Sequence, residues 1–171
     1  MSPQELGQLF ESFKSSAFRL ECLPTYQVPQ DVQWIRRFRA GEDRPQERDN
    51  RPWLETIRNA KERGARMQRV RLVQTPLTEY QRFQFSWGYP ENTGAGEEIY
   101  ILDSEPDGLL RVDFWLFDDE LAVVLEYDEQ GRYVRPVVAD TLAPYQQARD
   151  MALKSSVPFR EYRLRSQVDQ R

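Results

Sequence analysis

Apolar side chains at Leu6, Leu9, Phe10 and Phe13 recur at intervals of three and four, the period of one helix face. Ser2 stands where an N-cap belongs, Pro3 suits the first turn and Glu5 completes a capping box, so a helix is predicted over 3–16. FRLECLPTYQVPQ then alternates Phe18, Leu20 and Cys22 before two prolines and reads as extended or looped. A second helix is expected from Asp31, with Val32, Ile35 and Phe38 on one face and Arg36, Arg37 and Arg39 largely off it. The polar, proline-bearing AGEDRPQERDNRP predicts a linker or exposed loop, and a third helix should follow from Pro52 to about Arg63, ending at Gly64. MQRVRLVQ has the apolar content of a strand in Met67, Val70, Leu72 and Val73.

In TPLTEYQRFQFSWGYP, Thr75 fits an N-cap, Pro76 the first helical position, and Leu77, Tyr80, Phe83 and Trp87 fall on one helical face. A helix over 76–87 is therefore predicted, with Gly88 as its terminating glycine and ENTGAGEE as a connecting loop. EIYIL, RVDFWLF and ELAVVLEY read as strands, the last two joined by a two-residue turn at Asp118 and Asp119. That register sets Val112 opposite Leu125, Phe114 opposite Val123 and Leu116 opposite Leu121. RYVRPVV follows as an edge strand or strand end because it contains Pro136, and a last helix is expected from Pro144 to Lys154. The expected fold is α+β: N-terminal helices, then a mostly antiparallel sheet of four or five strands with one inserted helix and a C-terminal helix. One domain spans the 171 residues, with a helical part over 1–66, an α+β core over 67–157 and a tail over 158–171.

Composition changes this picture mainly by exclusion. The chain has no histidine, which removes Ser-His-Asp and Cys-His catalysis, histidine metal ligation and HKD phosphodiesterase chemistry together. Cys22 is the only cysteine, so neither an internal disulfide nor a cysteine zinc site can form. Three lysines leave few Schiff-base candidates, and no phosphate-binding G-x-x-x-x-G-K-[ST] loop occurs. No metal or cofactor is expected. The opening MSPQELGQLFESFK lacks a leader pattern and no apolar run approaches a membrane span, so a cytoplasmic location is expected.

Charge is segregated along the chain. The net charge of −4 divides into −1 over 1–30, +5 over 31–71, −12 over 72–130 and +4 over 131–171. Such blocks describe either separate charged and solvated faces or an acidic surface for a basic partner, flanked by basic segments that could touch nucleic acid or pair internally. On the second reading Tyr80, Arg82, Trp87, Tyr89, Glu97, Glu98, Asp113 and Trp115 are the candidate partner-binding residues. Asp113 is the most informative of them, because the strand pattern puts a carboxylate on the same face as Trp115 and Phe117. Arg36, Arg37 and Arg39 are the candidate nucleic-acid contact. Asp118, Asp119 and Glu120 are consecutive turn residues that point in different directions, which argues against a metal site.

PLTEYQRFQFSWGYP, AGEEI, DFWLFDD and YQQARDMAL together resemble an actinobacterial family of uncharacterised proteins of about this length. The resemblance runs from FRLECLPTYQVPQ to VPFREY and is weakest over 41–51. It implies an operon context, beside WhiJ-type helix-turn-helix regulators in toxin-antitoxin-like or developmental loci of Streptomyces and its relatives, and supplies no catalytic residues. The first functional expectation is a non-enzymatic regulatory protein binding such a regulator or a small basic protein. The alternatives are a toxin-like RNase of RelE-like topology using Arg82, Asp113 and Arg135, and a sensor of small ligands in an aromatic cleft.

Overall fold

Seven strands form one sheet: β1 (Ser16–Glu21), β2 (Arg66–Leu72), β3 (Glu98–Leu102), β4 (Phe114–Phe117), β5 (Leu121–Tyr127), β6 (Tyr133–Val138) and β7 (Val157–Pro158). Their spatial order is β6-β5-β4-β1-β2-β3-β7. β1, β2 and β3 run parallel, while β4, β5, β6 and β7 join antiparallel to their neighbours. The computed structural model describes residues 1–46 and 50–168. Part of the expected 40–52 loop (47–49) and the end of the expected tail (169–171) lie outside the described residues.

The overall α+β class holds, but the mostly antiparallel sheet of four or five strands is corrected to a mixed sheet of seven. The physical reason lies in β1 and β2. Parallel central strands usually read as continuous apolar runs because both faces are covered. Here one face of each strand carries buried charge: Arg19 and Glu21 on β1, Arg69 and Arg71 on β2. Those residues disguise two central strands, and β1 ties the first 66 residues into the same sheet as the rest.

Period-two alternation sorts the side chains onto two faces. On one, Phe18, Leu20, Val70, Leu72, Phe114 and Leu116 pack against Ala148 and Ala152 of α6 (Ala143–Ser155). Burying a ring such as Phe114 contributes roughly 2–3 kcal/mol. On the other face, Ala17, Met67, Trp115, Phe117 and Val123 meet Phe13 beyond α1 (Pro3–Ser12) and Ile57 and Ala60 of α3 (Arg51–Glu62). The capping box of Ser2 and Glu5 starts α1 as the sequence requires. α7 (Phe159–Val168) closes the chain over the end of β3, with Phe159 buried beside Phe85, Tyr89 and Ile101.

Two local expectations shift. The hairpin of β4 and β5 pairs Phe114 with Val124, Trp115 with Val123 and Phe117 with Leu121, one residue out of the predicted register. Its loop has three residues, and Asp118 and Asp119 both take positive φ, 52° and 61°. Asp118 is drawn out of a plain turn by the chain after α1: its carboxylate accepts from the backbone N–H groups of Lys14, Ser15 and Ser16 at 2.7–3.1 Å. The helix expected over 76–87 begins instead at Thr78, whose side chain caps α4 (Glu79–Phe83). It then passes through a π turn (Gln84–Gly88) into α5 (Tyr89–Ala95), which ends at Gly96 with φ of 122°. Pro90 cannot donate to the preceding turn, and the wider π turn, closed by Tyr89 N to Gln84 O, carries the helix past it. Among the described residues, no helix is long and apolar enough to cross a membrane.

Candidate functional site

Parallel register aligns Arg19 with Arg69 and Glu21 with Arg71, and the antiparallel step to β4 aligns Arg19 with Trp115. Three arginines and three carboxylates therefore meet on one covered face of the sheet. Arg19 Nη2 donates to Asp113 at 2.6 Å, and Asp113 also accepts from Tyr26 at 2.5 Å and the Cys22 N–H at 3.0 Å. Arg69 bridges Glu21 and Glu97, and Glu97 also accepts from Asn92 at 2.7 Å. Arg71, with no exposed surface, donates to Gln84 of the π turn at 3.0 Å and to Leu23 O at 2.5 Å, 3.8 Å from Glu21. Trp115 lies near both Arg19 and Arg69, whose guanidinium carbons are 6.0 and 5.8 Å from its ring.

Burial alone would raise the Glu21 carboxyl, but Arg69, Arg71 and Arg19 reverse this and hold it down to about 2. For Glu97 burial outweighs Arg69, and its carboxyl is raised. The Tyr26 and Tyr89 hydroxyls are raised well above their ordinary value, chiefly by burial and then by Glu21. This is a neutral, densely hydrogen-bonded core network. It offers no exposed nucleophile.

A row of tyrosines leads outward from it. Tyr80 meets Tyr26 at 5.9 Å between ring centres, Tyr26 meets Tyr127 at 5.0 Å and Tyr127 meets Tyr133 at 5.8 Å. Over this row passes a strap comprising the 3-10 turn Pro29–Asp31 and α2 (Val32–Arg39). From Gln27 to Gln46 no side chain is buried. The strap is fastened by Phe38 against Phe83 and Trp87, by Gln27 N to Gly131 O at 2.9 Å and by Arg39 to Glu79. Gly131 has φ of 78°, and a Cβ there would stand 2.7 Å from Thr25 O, so this fastening requires glycine. A groove of about 450 Å³ lies on the Tyr26–Tyr80 side of the strap and one of about 700 Å³ on the Tyr127–Tyr133 side.

Beside the second groove the sheet ends at β6, where Tyr133, Val134 and Val138 are 42, 56 and 41% exposed. Val32 of the strap, 54% exposed, lines the same groove as Tyr133. Pro136 controls this edge. Leu125 spends its N–H on Asp113 O of the neighbouring chain segment, so its partner Pro136 turns its nitrogen to the free side, where a donor is missing.

The residues nominated from the sequence do not share one surface. Tyr80, Trp87, Tyr89, Glu97, Asp113 and Trp115 are buried. The aromatic stripe faces α2 and the sheet, and the carboxylates face arginines, so this set is core in the folded chain rather than a docking surface. Glu98 is half-buried and pairs with Arg66, and exposed Arg82 donates to Leu77 O at 2.8 Å. Of the three candidate RNase groups, Asp113 is buried against Arg19, Arg82 lies on the exposed side of α4, and Arg135 pairs with Glu126 on the edge strand. Arg37 and Arg39 of the basic trio are already paired, with Glu42 and Glu79. The acidic segment spends its charge on the flanking basic ones: Glu79, Glu91, Glu97, Glu98, Asp119, Glu126 and Asp128 all pair with arginines from outside it. Sequence reasoning missed Arg19, Glu21, Arg69 and Arg71, although FRLEC and RVRL carried a signal: charge at every second position of two strands, opposite in sign at one register pair. Among the described residues, no group of histidine, cysteine, aspartate or glutamate could hold a metal ion.

A family model described as Domain of unknown function (DUF6879) matches residues 4–164. No curated protein matches the chain. Among solved structures, the chain is similar to a phospholipase D family member, Nuc from Salmonella typhimurium, at 10% identity and a TM-score of 0.51, over 92% of this chain and 93% of that one. At that identity the likeness concerns the fold alone, and a chain without histidine offers no route to histidine-dependent phosphodiester chemistry.

Proposed function

The chain belongs to the DUF6879 family, and we propose that it works as a non-enzymatic interaction protein whose partner docks on the apolar strip of β6. One observation carries this reading: three of the large apolar side chains left exposed among the described residues, Tyr133, Val134 and Val138, lie on a single edge strand. The placement of the three RNase candidates supports it against that alternative: Asp113 is buried against Arg19, Arg82 is exposed on Leu77 O and Arg135 pairs with Glu126 on the edge strand, whereas general acid–base work requires groups converging on one reacting atom. The proposed partner is a helix-turn-helix regulator of the kind implied by the sequence resemblance, in a cytoplasmic setting. The strip calls for an apolar face on that regulator. The missing donor at Pro136 favours a side-chain contact over the addition of an extended strand.

The test is a binding titration of the purified chain against a purified helix-turn-helix regulator of the kind that the sequence resemblance implies. Val134→Glu together with Val138→Glu should weaken binding about tenfold or more, with little response to salt. Capture that is unchanged in the double variant, or abolished by moderate salt alone, would put the interface elsewhere.

A further inference from the structure

Many arginines of this chain end on carboxylates, but one groove gathers three of them around a single glutamate. Arg51 and Arg58 stand two turns apart on one face of α3, with Leu54 between them as part of the floor. α5 forms the facing wall with Glu91, Gly94 and Ala95, and Arg44 enters from the loop before α3. The groove has a volume of about 490 Å³, within the range of small-ligand sites. Glu91 is already engaged: it accepts from Asn50 and lies 4.0 Å from Arg44. The Arg58 guanidinium, by contrast, is exposed and has no ion pair or hydrogen bond among the described residues. Three cations and one carboxylate leave the lining with two positive charges in excess among the described residues.

We propose that this groove binds the phosphate group of a small phosphate monoester. A monoester carries close to two negative charges at neutral pH, which answers the excess on the lining within the space of one tetrahedral group. A carboxylate would leave one cation unanswered, and a phosphodiester strand brings a single charge per group. The planar guanidinium presents paired N–H donors to phosphate oxygens, and arginines on either side of Leu54 suit a group seated above it. The organic part of the ligand rests on Leu54 and Ala95, and Gly94 keeps that side open because it carries no side chain. No residue of β6 lines this groove, so the proposal stands apart from the partner reading above.

The experiment titrates the full chain by calorimetry at low ionic strength with phenyl phosphate and, separately, with phenyl sulfate, which has nearly the same shape and less negative charge. Saturable binding of one phenyl phosphate per chain is expected, about tenfold tighter than the sulfate. Arg58→Gln should weaken it about tenfold without lowering the thermal midpoint, since that guanidinium holds nothing in the fold. Gly94→Glu, at a position where a Cβ meets nothing within 4 Å, sets a second carboxylate in the groove and should abolish binding. Arg36→Gln, which removes a cation of α2 that does not line the groove, should leave it unchanged. Equal affinity for the sulfate, no saturable binding, or an unaffected Arg58→Gln would overturn the proposal. Displacement of phenyl phosphate by duplex DNA at equal phosphate concentration would overturn it too, by assigning the groove to a phosphodiester backbone.

Discussion

Glu21 shows how a charged side chain can belong to a core. It accepts from Arg69 and, at 3.0 Å, from Tyr89, and it lies 3.8 Å from Arg71, so removing its charge leaves buried Arg71 without its carboxylate and Arg69 with Glu97 alone. Replacing a whole buried ion network with apolar residues is often harmless, but deleting one partner is not. Glu21→Gln is expected to cost about 3–5 kcal/mol at neutral pH, measured by urea unfolding. A loss below about 1 kcal/mol would mean that solvent reaches the cluster. The pH dependence has a definite sign. Because the folded carboxyl sits at about 2, below its ordinary value, its stabilisation is complete above that ordinary value and disappears as pH falls toward 2. The variant should therefore lose part of the wild type's acid-induced decline in stability.

Elements show where the sequence could and could not be read. The capping box at Ser2 and Glu5, the α3 span and the strand character of EIYIL and ELAVVLEY depend on neighbours in the chain, and they are visible there. The hairpin register was not, because Asp118 answers to Lys14, Ser15 and Ser16, more than a hundred residues away. The π turn was equally hidden: Gly88 and Pro90 are stop signals locally, and only the packing of Phe83 and Trp87 on Phe38 and the bond from Arg71 to Gln84 show why the helix continues. For the candidate site, the exposed face of β6 was legible only as an edge marked by Pro136. That proline also suggests a test at this scale. Pro136 is buried while Val134 and Val138 beside it are exposed, and Pro136→Val restores an outward N–H on this edge strand, so the variant should self-associate. Sedimentation velocity would show it, and a strictly monomeric variant would mean that side chains, not the missing donor, protect the edge.

For the whole molecule, the arrangement of charge and of strand order has the same effect. Basic flanks fold back onto the acidic middle, and β1, from the first part of the chain, lies between β2 and β4 from later parts. Division at residue 66 therefore yields no independent unit. Unlike the sheet, the strap contributes no buried side chain from Gln27 to Gln46. Continuity of the backbone there does little for the rest of the structure. A single tryptic cut after Arg39 should accordingly leave two fragments that elute together from a gel-filtration column and part only in denaturant. Separation under native conditions would show that the strap holds more than its few contacts suggest. If the pieces stay together, the two can be made as separate chains and recombined, and the protein becomes one that can be switched on by mixing a short piece with a long one.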